Sequence, residues 1–187
     1  MSPLLRKSVL TIAASASALL FACTGAAQAD SGVADYGGGC VLDSGNRAAT
    51  IDALRFRCTP DQQDLLFHEA PPGAAPRGVT SGWVVRPGYI QDITPAFWIG
   101  KTFATGPDGG PLTNRVTALD IAAWPANSYR GTALLDGRPA WVLDYTPSPT
   151  PQVHDEVREV APGVWFGYSW WLDEVNTLLL TFVVATP

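Results

Sequence analysis

Short runs of β-branched and aromatic residues recur from Gly82 to the end of the chain, divided by clusters of Gly, Pro, Asp and Asn. They follow one another at intervals of roughly eight to twelve residues, a spacing typical of antiparallel all-β domains. The predicted strands are residues 83–86, 97–104, 112–123, 129–135, 140–145, 153–160, 164–172 and 177–185. The later links are short enough to join antiparallel neighbours. The pattern therefore predicts a mainly all-β, antiparallel meander that either stacks into a sandwich or closes on itself.

A short helix is predicted before these strands. Thr59 is a suitable N-cap, Pro60 occupies the first helical position, and Gln62 completes a capping box. The helix should end before Pro71, because proline cannot continue it. Residues 30–39 are small and glycine-rich, which predicts a mobile lead-in. The last two predicted strands are apolar on both faces. One face of each strand must point inward, and the helix is the candidate to cover the other face.

The start of the chain predicts an export signal. An apolar run over residues 8–22 follows a basic start and precedes Ala27-Gln28-Ala29, a small-x-small cleavage site. Residues 1–29 are therefore predicted to be a signal peptide, and the mature protein to be secreted. The alternative is a lipid anchor at the cell surface through Cys23.

Export changes the charge and the expected state of the cysteines. Loss of Arg6 and Lys7 leaves 10 of the 12 Lys and Arg residues against 17 Asp and Glu, a formal charge of −7. That charge argues against nucleic acid or anionic lipid surfaces as partners. Cys40 and Cys58 remain, and an even pair in an oxidising compartment predicts a disulfide.

The mature chain is predicted to form one globular domain over residues 40–187. Residues 30–77 would be an N-terminal segment that is pinned by the disulfide and contains the short helix. Residues 78–187 would contain the strands. No membrane span is predicted in the mature chain, and the sequence leaves the oligomeric state open.

Several blocks in the strand region are similar to one protein family. They are Trp98-Ile-Gly100-Lys101-Thr-Phe103, Asn114-Arg115-Val116, Tyr129-Arg130-Gly131, Asp136-Gly137, Leu143-Asp144-Tyr145 and the run from Asp155-Glu156 to Pro162-Gly163, followed by Gly167. The chain resembles a group of largely uncharacterised bacterial proteins with GXWXG-type, calycin-like β-barrel domains. The resemblance runs from about Gly78 to Val184 and implies an up-and-down, lipocalin- or calycin-like barrel with an internal cavity. His154 stands where the family pattern would place an arginine.

Lys101 is the single lysine of the predicted mature chain and lies between Trp98 and Phe103. A lysine desolvated among aromatic rings can have a lowered pKa and act as a base or nucleophile. Alternatively, its stem packs on an aromatic ring while the ammonium group reaches water or a carboxylate. The sequence leaves both interpretations open.

A second candidate site lies on the hairpin of residues 140–160. Side chains alternate between faces along a strand, so a register of equal parity places Asp144 opposite His154, on one face with Glu156 and Arg158. This face continues onto Tyr168 and its aromatic neighbours, and pointed inward it could do acid–base work or hold a polar group. The opposite face, with three tryptophans, is more apolar. Burial therefore favours turning that face inward and leaving the charged face in solvent.

Three classes of function fit this pattern. The first is a barrel that binds a small apolar or aromatic molecule. Its candidate binding residues are Trp98, Lys101, Asn114, Tyr129, Asp144, Glu156, Arg158 and Tyr168. The second is an isomerase, cyclase or hydrolase that uses Asp144, His154 or Lys101 as acid or base. The third is a structural protein whose aromatic residues are merely core. The common nucleotide, hydrolase and zinc motifs are missing from the sequence, so it predicts no cofactor and no metal.

Overall fold

The computed structural model describes residues 32–187. Its N-terminal part begins with a small hairpin. Strand β1 (Val33–Asp35) pairs antiparallel with β2 (Val41–Asp43), and three consecutive glycines with positive φ, residues 37–39, form the turn. The predicted disulfide between Cys40 and Cys58 is confirmed. The prediction of a mobile lead-in is therefore wrong from Val33 onward, because the backbone pairs there. The predicted signal peptide, its cleavage site and Cys23 lie outside the described residues.

Two helices follow the hairpin. Helix α1 (Arg47–Phe56) was not predicted, and its N-cap is Asn46, whose side chain accepts a hydrogen bond from the amide of Ala49. Helix α2 (Pro60–Glu69) confirms the predicted helix, including the reciprocal capping box of Thr59 and Gln62. Within residues 32–187, neither helix has the length and apolarity needed to cross a membrane.

Eight antiparallel strands then form a closed barrel, which confirms the predicted fold class. The strands are β3 (Gly78–Arg86), β4 (Gly100–Phe103), β5 (Gly109–Val116), β6 (Ile121–Thr132), β7 (Pro139–Asp144), β8 (Val153–Ala161), β9 (Val164–Trp171) and β10 (Thr177–Ala185). Each strand pairs with its neighbour in sequence, and β10 pairs with β3 to close the barrel. Closure leaves no barrel strand with an unpaired edge.

The predicted strand over residues 112–123 is wrong. It joins the end of β5 to the start of β6 across a tight turn, in which Thr117 and Asp120 have positive φ. This turn contains no glycine, proline or asparagine, and the single aspartate, Asp120, is too weak a signal to divide the run. Conversely, Trp124 and Pro125, which fall between two predicted strands, lie inside β6, near a register shift that accommodates the irregular backbone.

Two cores lie on opposite sides of the barrel wall. The inner core joins side chains from strands all round the barrel, among them Phe103, Leu112, Trp141, Val157 and Phe182. The outer core joins Leu54, Leu66 and Phe67 of the helices to Phe166, Tyr168 and Val183 of the strands. Both faces of residues 164–169 of β9 and 181–185 of β10 are thus covered, one by the barrel interior and the other by the helical segment.

One end of the barrel is closed by the chain that enters it. The indole of Trp141 donates to the carbonyl of Gly73 at 3.3 Å, and the indole of Trp165 donates to the carbonyl of Ala74 at 2.9 Å. Ala75 belongs to the inner core. The links β3–β4, β5–β6, β7–β8 and β9–β10 lie at the opposite end, because successive strands run in opposite directions.

Candidate ligand cavity

A cavity of about 370 Å³ lies inside the barrel. Its walls are mainly apolar and aromatic side chains, namely Val84, Phe97, Trp98, Val116, Trp124, Val153, Leu180 and Phe182. Phe97 and Trp124 are 67% and 43% exposed. These two rings mark the solvent-facing side of the cavity. Its volume falls within the range of small-molecule sites, and its composition resembles theirs.

The polar part of the cavity centres on Lys101 of β4, a residue only 3% exposed. Its ammonium group contacts Asp155 Oδ2 at 2.9 Å, Asn114 Oδ1 at 2.9 Å and the Tyr145 hydroxyl at 2.5 Å. The Tyr145 hydroxyl also donates to Asp155 Oδ2 at 3.0 Å. Strands β4, β5 and β8 and the end of β7 are joined by this cluster, so it ties opposite parts of the wall together.

Asn114 fixes the position of the neighbouring tryptophan. The indole of Trp98 donates to Asn114 Oδ1 at 2.9 Å, and the Asn114 amide donates to the carbonyl of Trp124 and to the Tyr145 hydroxyl, both at 3.1 Å. The Trp98 ring also needs Gly82 beneath it, because a Cβ at Gly82 would lie 2.5 Å from the ring. The glycine of β3 thereby makes room for an aromatic wall of the cavity.

Three aromatic rings surround the Lys101 ammonium. Its Nζ lies 5.4 Å from the ring centroid of Trp98 and 5.2 Å from those of Tyr145 and Phe182. These distances are within the range of cation–π attraction, which is stronger where water is excluded. The rings and the carboxylate together compensate the burial of the charge.

The electrostatics of the cluster favour a charged lysine and a neutral tyrosine. Burial by itself lowers the pKa of the Lys101 ammonium, but the charge of Asp155 and the contact with Tyr145 outweigh it, so this pKa is raised. Burial and the charge of Asp155 raise the pKa of Tyr145 to about 12. Of the two interpretations that the sequence left open for Lys101, the raised pKa is the opposite of what the first one requires. The alternative, an ammonium group that meets aromatic rings and a carboxylate, describes the site.

Three residues predicted for the site, Trp98, Lys101 and Asn114, meet in the cavity. Tyr145, Asp155 and Ser169 also line it and were not among the predicted residues. Asp155 did give a sequence signal, since it interrupts the apolar face of its strand between Val153 and Val157. A carboxylate on a face that must be buried needs a partner, and the single lysine was available.

The other predicted residues lie outside the cavity. The register that places Asp144 opposite His154 is confirmed, but their face of β7 and β8 points away from the barrel interior. Glu156 and Arg158 share that outer face, and so does Tyr168, a member of the outer core. Tyr129 is also absent from the cavity lining and is 44% exposed.

The tryptophan face points inward, as burial predicted, but Glu156 and Arg158 on the charged outer face are buried and not left in solvent, which corrects the second half of that prediction. Arg158 is fully buried; it makes a bidentate pair with Asp136 at 2.7 and 2.8 Å and donates to the carbonyls of Phe67 and Pro139. Asp136 also contacts His68 of α2 at 3.0 Å. Helix α2 thus covers the part of this face around Arg158, where the polar groups of Arg158 and Asp136 are satisfied by each other and by backbone carbonyls. His154 Nε2, on the same face, has no hydrogen-bond partner among the described residues.

Two more polar contacts attach α2 to the barrel. The Tyr168 hydroxyl donates to Asp64 Oδ1 at 2.6 Å, and Arg86 contacts the same oxygen at 2.8 Å. Burial, together with the hydrogen bond to Asp64, raises the pKa of Tyr168. Glu156 accepts hydrogen bonds from the amides of Leu134 and Leu135. These contacts give the polar residues of the outer face a structural role in this fold.

The buried pair of Asp136 and Arg158 leads to a prediction about how stability depends on pH. Asp136→Asn should be less stable than wild type at neutral pH, and the difference should shrink as the pH falls. The Arg158 hydrogen bonds lower the pKa of Asp136 from 3.8 to about 2. The stabilisation is therefore complete above the pKa of the unfolded chain and is lost as the pH falls through about 2. Urea unfolding of both proteins across this pH range measures the effect, and a constant difference would contradict it.

Comparisons with known proteins support the barrel and little else. No protein-family model and no curated protein matches the sequence. A crystal structure of a protein from Thermomonospora curvata is similar, with a TM-score of 0.52 and 16% identity, over 78% of this chain and 99% of that chain. At this identity the similarity shows the fold alone. The barrel implied by the sequence resemblance is present, whereas membership of the GXWXG-type family stays a prediction.

Proposed function

We propose that this protein is a secreted β-barrel protein that binds a small apolar or aromatic molecule in its interior. The observation that supports this function best is the cavity of about 370 Å³, which combines apolar walls with one buried polar cluster. Apolar walls provide affinity through burial, and a few fixed polar groups provide orientation. The predicted signal peptide supports secretion, and the Cys40–Cys58 disulfide is compatible with it.

The enzyme alternative gains less support from the positions of its candidates. Asp144 and His154 lie on the outer face, away from the cavity. Lys101 lies in the cavity, but its raised pKa keeps the ammonium form and leaves no lone pair for attack or proton abstraction. A binding role requires only an apolar cavity with fixed polar groups, and it does not require a free base or nucleophile.

A larger side chain in the cavity should block binding. Leu180 of β10 lines the cavity, and Leu180→Trp would fill part of it. Leu179→Trp is the matched control, because Leu179 is the neighbouring residue and lies outside the cavity lining. With the neutral fluorophore N-phenyl-1-naphthylamine, we expect the first variant to bind at least about tenfold more weakly and the second to bind like wild type. Fluorescence titration measures both affinities. Equal loss in the two variants, or no binding to wild type, would contradict the proposed function.

A further inference from the structure

One atom of the polar cluster in the cavity has no hydrogen-bond partner among the described residues: Asp155 Oδ1. The three N–H groups of Lys101 are directed to Asn114, Tyr145 and Asp155 Oδ2. The Tyr145 hydroxyl donates to the same Oδ2, and the Asn114 amide donates to Trp124 and Tyr145. The N–H and O–H donors of Lys101, Asn114 and Tyr145 thus all have acceptors within the protein. The group that still lacks a partner is an acceptor, Asp155 Oδ1.

The unpartnered oxygen belongs to a side chain that is only 4% exposed, so bulk water does not satisfy it. A buried carboxylate oxygen without a donor is costly. Ser169 is the direct partner of Asp155 across strands β8 and β9 and also lines the cavity. Side chains opposite each other on one face lie close together, and a serine hydroxyl can donate as well as accept. This part of the cavity wall therefore holds a buried acceptor without a donor next to a residue with a hydroxyl group.

The charges inside the barrel cancel. Lys101 and Asp155 form a close ion pair, and Tyr145, whose pKa is raised to about 12, is neutral at physiological pH. An ionised ligand would add an uncompensated charge to a space with mainly apolar walls, where such a charge is expensive. A carboxylate would in addition face Asp155 without a proton to donate. The favoured ligand is therefore neutral.

We propose that the ligand is a neutral molecule with an aromatic body and one hydroxyl group, whose O–H donates to Asp155 Oδ1 while its oxygen accepts from the Ser169 hydroxyl. This inference rests on the proposed function, because it specifies the ligand of the same cavity. The aromatic body contacts Trp98 and Phe182, whose rings are related by an edge-to-face contact of 5.8 Å. Hydrogen bonds to a charged acceptor discriminate strongly when the alternative leaves that acceptor unpaired.

Four probes with the same two-ring body test this proposal on the wild-type protein: 2-naphthol, 2-methylnaphthalene, 2-naphthoate and 2-naphthylmethylammonium. Isothermal titration calorimetry at neutral pH measures their affinities. We expect 2-naphthol to bind at least about tenfold more tightly than 2-methylnaphthalene, because the hydroxyl and methyl groups have similar size but only the hydroxyl can donate. The two ions should bind more weakly than either neutral probe.

Ser169→Ala separates the hydroxyl contact from general packing. It should lower the affinity for 2-naphthol several-fold and leave the affinity for 2-methylnaphthalene within about twofold of the wild-type value, since only the hydroxylated probe loses a hydrogen bond. Ser128→Ala is the matched control, because Ser128 is a buried serine of β6 outside the cavity lining. It should change neither affinity. Asp155 is left intact because it is the ionic partner of Lys101.

The outcomes distinguish the two proposals. Equal affinities of 2-naphthol and 2-methylnaphthalene, or tightest binding of either ion, would overturn the hydroxyl ligand and leave the binding function standing. Failure of all four probes to bind would overturn the proposed function, and the inference with it. An unchanged affinity of 2-naphthol in Ser169→Ala would remove Ser169 from the site and contradict the paired contact.

Discussion

Replacing Lys101 by methionine is expected to lower the free energy of unfolding by about 3–5 kcal/mol. Lys101 and Asp155 are 3% and 4% exposed, and their charges are 2.9 Å apart. Methionine fills a similar volume without the charge, so the change leaves a buried carboxylate with the Tyr145 hydroxyl as its one remaining donor in the cluster. Loss of one partner of a buried pair is far more costly than loss of both. Urea unfolding, followed by tryptophan fluorescence, measures the difference.

Two controls make this prediction specific to the pair. Lys101→Met combined with Asp155→Leu should recover at least half of the lost stability, because no unpaired charge remains inside the barrel. Arg77→Met removes a cation from an exposed position, and it should leave the unfolding midpoint unchanged. A loss of less than about 1 kcal/mol in the single variant, or a double variant less stable than the single one, would contradict the assignment of a buried ion pair.

Arg158→Met should destabilise the protein by a similar amount, about 3–5 kcal/mol, because it breaks a second buried ion pair, on the outer face of the barrel. The guanidinium group is fully buried and makes four hydrogen bonds, two to Asp136 and two to the carbonyls of Phe67 and Pro139. It also stacks on the Phe67 ring at 4.2 Å. Without it, the carbonyl of Phe67 and the carboxylate of Asp136 lose their buried donor.

Hydrogen exchange can test where this stability is located. Since Arg158 attaches α2 to β8, the amides of α2 should exchange much faster in Arg158→Met than in wild type. Arg130→Met is the matched control, because Arg130 stacks on Trp141 at 4.4 Å but is exposed. It should cause a smaller loss of stability and no selective change in α2. Unaltered exchange in α2 of Arg158→Met would show that other contacts hold the helix in place.

The local patterns of the sequence predicted much of the fold. Strand β10 and the hairpin of β7 and β8 follow runs bounded by turn residues, and the register that joins Asp144 to His154 follows from the alternation along them. Helix α2 was predicted because its capping box lies within four consecutive residues. Where the turn residues were missing, as between β5 and β6, the boundaries were wrong.

The cavity was only partly predictable, for a physical reason. Trp98 and Lys101 lie close together in sequence, and an isolated lysine among aromatic residues was a visible signal. Asp155 lies 54 residues after Lys101, and no local rule brings the two together. Closure of the barrel decides this contact, because it places β4 and β8 on opposite parts of one wall with their side chains pointing to a common interior.

The sequence by itself determined the antiparallel strands, the disulfide pair and the two alternating faces of each strand. It favoured the tryptophan face for the interior, but it could not show what would cover the opposite face, because both faces of β8 and β9 carry apolar and polar residues. The tertiary structure decided that point through the two layers available to cover them. The interior takes the tryptophan face with Asp155, and the helical segment covers the face with Arg158, so that each buried charge has a partner within reach.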